Sequence, residues 1–73
     1  MKYKFCKITT DTGKTILLEN VTEVQLKGFD CLTGREVNRE GDTNTKVHLI
    51  EKLAIRRIIP MRMDCKYGEL VVD

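Results

Sequence analysis

Apolar and polar residues alternate with a period of two along much of this 73-residue chain, the mark of strands with one solvated face. The clearest run is Val-Thr-Glu-Val-Gln-Leu-Lys-Gly-Phe at 21–29, which sets Val24 and Leu26 on one side and Glu23, Gln25 and Lys27 on the other. Gly28 within it predicts a bulge or tight bend. Residues 2–9 read as a first strand carrying Tyr3, Phe5, Cys6 and Ile8. Asp11-Thr12-Gly13-Lys14 has the chemistry of a turn into a return strand at 15–18, and Asn20 marks a bend or bulge. Short strands are expected at 46–50 and 69–72.

Two stretches break the alternation. Residues 33–45 hold one apolar side chain, Val37, and predict a long polar loop or arm, or else an extended hairpin around Gly41-Asp42. A structureless loop of that length in a compact domain is usually functional or disordered. Arg35, Glu36, Arg39 and Glu40 are therefore the candidate partner-binding residues. Residues 51–59 fit helical spacing at Ile55, Ile58 and Ile59, with Pro60 as the stop. They also fit a turn at 51–54 followed by a strand over 55–63, and the β-branched content favours turn and strand.

The pattern predicts a single all-β domain over 1–73. Its form is a small curled antiparallel sheet or open SH3-like barrel of five to six strands, with one short helical turn near 51–55. A chain this short gains only about 3–5 kcal/mol from its core, so partner subunits are a common supplement. Edge strands of such sheets invite pairing with another chain. A homodimer or ring is expected, with 46–50 or 55–63 at the subunit contact.

Composition adds little chemistry. Thirteen Lys and Arg against eleven Asp and Glu give a net charge of +2, too mild to argue for nucleic acid by itself. Arg56, Arg57, Arg62 and Lys66 nevertheless cluster near the end and are the candidate phosphate contacts. Three cysteines, Cys6, Cys31 and Cys65, are an odd number at wide spacings, unlike a disulfide framework. With no apolar run suited to a signal peptide or membrane span, free thiols and a cytoplasmic location are expected, with no membrane contact. No two of these cysteines and His48 have metal-ligand spacing, and no nucleophile or phosphate-loop motif is present. Neither catalysis nor a metal or cofactor is expected.

Leu49-Ile50-Glu51-Lys52-Leu53-Ala54-Ile55-Arg56-Arg57-Ile58-Ile59-Pro60 resembles the last two strands of Sm-like RNA-binding barrels of the bacterial host-factor type. Gly28-Phe29-Asp30 is similar to the Phe-Asp after that family's second strand. The resemblance implies a ring of subunits holding RNA, with Lys52 and its turn near the pore. It covers the twelve and three residues just named. Leu53 stands where the family has His, and residues 31–46 exceed its central hairpin.

The reading that follows is a small non-enzymatic binding domain acting through protein contacts or self-assembly. The alternative is an Sm-like nucleic-acid-binding barrel that uses a basic C-terminal strand.

Overall fold

The computed structural model describes residues 2–73; Met1 lies outside them. Six strands and one short 3-10 turn follow in order: β1 (Tyr3–Thr10), β2 (Thr15–Leu26), β3 (Phe29–Val37), β4 (Thr43–Glu51), η1 (Lys52–Ala54), β5 (Ile55–Asp64) and β6 (Glu69–Val72). They form one antiparallel sheet in the order β4-β3-β2-β1-β5-β6. The sheet curls without closing into a barrel. The small curled sheet expected from alternation is thus present, with its helical turn at Lys52–Ala54 and a strand through Pro60.

The core forms where alternation on neighbouring strands falls into register. Cys6 and Ile8 of β1 face Leu18 and Ile16 of β2 on one side, and Pro60 and Ile58 of β5 on the other. Cys6, Ile8, Ile16 and Leu18 make one buried cluster with Val21 and Leu32, against which Tyr3, Ile50, Ile55 and Ile58 pack. Burying each such aliphatic side chain contributes about 1.5–3 kcal/mol.

Asn20 supplies the bulge its sequence foretold. Its φ is +51°, and between Glu19 and Thr22 β2 carries one residue more than β3 opposite. Gly34 sits across from that bulge. A Cβ there would lie 3.0 Å from the Glu19 carbonyl oxygen and 3.2 Å from the Leu18 Cβ, so any other residue would press on the β2 backbone at this close approach.

Two expectations need correction. Gly28 is not a bend inside a strand: with Lys27 it forms a two-residue hairpin turn, both at positive φ, and Leu26 pairs with Phe29 across it. The strand expected over 21–29 therefore ends at Leu26, and Phe29 opens β3.

Nor is 33–45 a long structureless loop. It is the extended hairpin, with β3 running to Val37 and β4 starting at Thr43. Asn38 closes the turn with its backbone N–H to the Asp42 carbonyl (3.0 Å), while its side-chain oxygen accepts the Asp42 N–H (2.9 Å). The tip then folds onto the far edge of the sheet. There the Leu70 N–H donates to the Arg39 carbonyl at 2.8 Å, and Gly41 lies against the Met63 methyl. Backbone pairing and a polar turn satisfied by its own Asn replace the apolar content such a hairpin lacks.

Candidate binding surfaces

All eight residues from 23 to 30, the outer end of the β2–β3 hairpin, are exposed. Register places the apolar ones on one side. Leu26 faces Phe29, Val24 faces Cys31, and Cys31 faces Glu51. Thr33, two residues on, faces Leu49, and Arg35 faces Val47. Directly opposed residues share a face, so Val24, Leu26, Phe29, Leu49 and Val47 form one surface across three strands. Phe29, Val47 and Leu49 are each at least half exposed. Cys31, among them on the same face, is itself buried, and exposed apolar residues gathered around it on one face are unlike a scatter of single ones. Arg35 stands at the Val47 end and Glu51 on the β4 side level with Val24, neither with an ion-pair partner among the described residues. β4 forms the outer edge of the sheet beside it, with no proline to block pairing.

The four residues expected to bind a partner separate. Arg35 lies exposed on the apolar face, and Glu40 is exposed at the hairpin tip. Arg39 holds β6 through its carbonyl. Glu36, on the other side of β3, accepts the Asn44 side-chain amide at 2.8 Å and lies 2.9 Å from His48 Nε2. Those two bonds, that to Asn44 first, hold its carboxyl below the ordinary range.

The four basic residues separate as well. Arg56 and Arg57 are consecutive on β5 where its register with β1 shifts, Arg57 facing Thr9 and Ile55 facing Thr10, whereas Lys66 sits in the β5–β6 turn, whose N–H groups Asp64 caps. Arg62 lies 4.0 Å from the terminal Asp73 side chain, an exposed pair worth little. Arg56 and Arg57 instead join Lys2 and Lys52 around a depression of about 390 Å3 floored by Ile55 and Ile58. Glu23 on β2 reaches across to both lysines, its Oε1 bonding Lys2 Nζ and lying 3.0 Å from Lys52 Nζ. These bonds, the one to Lys2 leading, lower the Glu23 carboxyl below its usual range, and the Lys2 amine is raised in turn. Lys2 and Lys52 come from distant parts of the chain, so their convergence on Glu23 had no local signal.

Cys6 and Cys31 are buried and Cys65 is exposed, all three as free thiols. Burial pushes the Cys6 thiol up to about 11, which leaves it unreactive at neutral pH. Among the described residues no three His, Cys, Asp or Glu side chains gather as a metal site, and no helix is long and apolar enough to cross a membrane. No family model, no curated protein and no solved structure matches this chain.

Proposed function

We propose that this protein is a small non-enzymatic binding domain that works by assembling with a second copy of itself through the β2–β3–β4 face. The observation that carries the reading is the exposed surface of Val24, Leu26, Phe29, Val47 and Leu49. A two-stranded ribbon open on both sides is marginal alone in water, and covering its apolar side supports it. A second copy fits because the rim is self-complementary. A two-fold axis crossing the strands at the Thr33–Leu49 pair brings Arg35 of one copy level with Glu51 of the other.

Light scattering on the eluting protein tests this. A dimer mass is expected for the wild type, and a monomer of unchanged circular dichroism for Leu26→Ser with Leu49→Ser. Arg35→Glu is expected to weaken the dimer, and adding Glu51→Arg to restore it. A monomeric wild type overturns the reading, as does a dimer indifferent to the double serine variant.

A further inference from the structure

The depression at Lys2, Lys52, Arg56 and Arg57 plays no part in that assembly. Four cationic side chains line it, and two of them, Lys2 and Lys52, are held by the Glu23 carboxylate of β2. The two lysines converge on the same oxygen of Glu23, an arrangement that leaves Arg56 and Arg57 without a carboxylate partner among the described residues. A carboxylate held in this way engages donors that an incoming oxyanion would use, and a phosphate offers more acceptor oxygens to the same donors. Guanidinium groups suit that chemistry particularly well, since their fork of N–H donors matches a phosphate edge. The floor of Ile55 and Ile58 is apolar, and both side chains are partly buried against the core, so they form a fixed surface beside the cations. Charge above and hydrocarbon below is the combination that takes an organic phosphate, its anionic group on the cations and its body over the isoleucines.

We propose that Lys2, Lys52, Arg56 and Arg57 form a binding site for a phosphate ester, which Glu23 guards in the free protein by holding the two lysines. The ligand displaces Glu23 from the two lysines. Glu23 thus sets the affinity by competition, and its removal strengthens binding. Loss of an arbitrary surface carboxylate would act only through net charge, which is a much weaker and more salt-sensitive effect. Glu69 provides that comparison: it pairs with Asp64 at the opposite end of β5 from Arg56.

The test is titration of the intact protein with inorganic pyrophosphate, followed by the backbone amide resonances of residues 52–58. A nucleoside triphosphate and an oligothymidylate strand form two further arms. Shifts confined to this segment and to Lys2 are expected with pyrophosphate. Glu23→Gln is expected to tighten binding several-fold, Glu69→Gln to leave it nearly unchanged, and Lys52→Ala with Arg56→Ala to reduce it at least tenfold. Stronger binding of the triphosphate than of pyrophosphate assigns the isoleucine floor to the ligand's organic body. Preference for the strand, with a salt slope that falls by about 0.7 for each cation removed, assigns the phosphate to a nucleic acid. Shifts spread over all exposed lysines overturn the site. Equal gains from Glu23→Gln and Glu69→Gln overturn the guarding role. Because Lys52 and Arg56 lie outside the buried cluster, their replacement leaves the fold intact, which the amide spectrum itself reports.

Discussion

The β2–β3 and β3–β4 hairpins share a strand, yet one projects into solvent along its outer end while the other is seated on the far edge of the sheet. The projecting hairpin carries Val24, Leu26 and Phe29 at its outer end; the outer end of the seated one, residues 38–46, has no apolar side chain. What seats a hairpin here is where its tip lands. The tip at 38–42 reaches β6 and Met63, and a backbone hydrogen bond fixes it there. The turn at Lys27-Gly28 lies beyond the last strand that could cover it, so its apolar side chains stay exposed. Alternation states that a strand has two faces. It does not state that either is covered.

The strongest way to break this contrast lies in β3, the strand common to both hairpins. Leu32 is fully buried, and Leu32→Ala is expected to cost about 2–5 kcal/mol. For a domain of this size that is most of the stability. Leu26→Ala, six residues earlier but 48% exposed, is expected to change the unfolding free energy of the dissociated chain by less than about 0.5 kcal/mol. Urea titrations of the two variants decide it. Similar midpoints for both would mean that the outer end of the ribbon is as much part of the core as Leu32.

Gly41→Ala probes the seated hairpin with a smaller effect. Gly41 holds φ at +84°, where any other residue is strained by about 1–2 kcal/mol, and the new methyl also meets the Met63 side chain. Gly13 in the β1–β2 turn has the same φ but open space around it. Gly13→Ala therefore carries the conformational cost alone, and the excess at Gly41 measures the contact with β5. Equal losses in thermal unfolding would show that the tip is not seated.

How much of this was legible depends on whether the determinant is local. The strand at 55–64, the 3-10 turn before it and the bulge at Asn20 rest on β-branched residues, Pro60 and a residue tolerant of positive φ, all of which the chain displays in place. The turn at Lys27-Gly28 was hidden because lysine seldom takes positive φ; a Gly directly after a clean alternating run, with Phe29-Asp30 resuming it, was the only signal. The polar stretch 33–45 looked loose because its ordering comes from long-range partners, Leu70 and Met63. Of the candidate site residues, Arg56 and Arg57 stand together with cations from two other parts of the chain, while Arg62 and Lys66 do not join them. No spacing rule links Lys2 to Lys52; the curl of the sheet does.

The smallest effect concerns the polar side of the seated hairpin and its response to acid. Glu36 joins Asn44 and His48 across the β3–β4 ladder, and those bonds hold its carboxyl below the ordinary value of 4.5. A group whose folded value lies below its unfolded value stabilises the fold when ionised. That contribution is fully present above the unfolded value and fades as the pH falls through the folded one. Glu36→Gln keeps the shape and removes the titration, so the gap in urea midpoint between wild type and variant should be widest near neutral pH and close in strong acid. Glu23 titrates in the same direction through Lys2 and Lys52, but it is present in both proteins and cancels from the difference. A gap that stays constant down to strongly acid pH would show that Glu36 steadies the hairpin by packing alone. The seating of the hairpin would then rest on Asn38, Arg39 and Gly41, without help from its charged face.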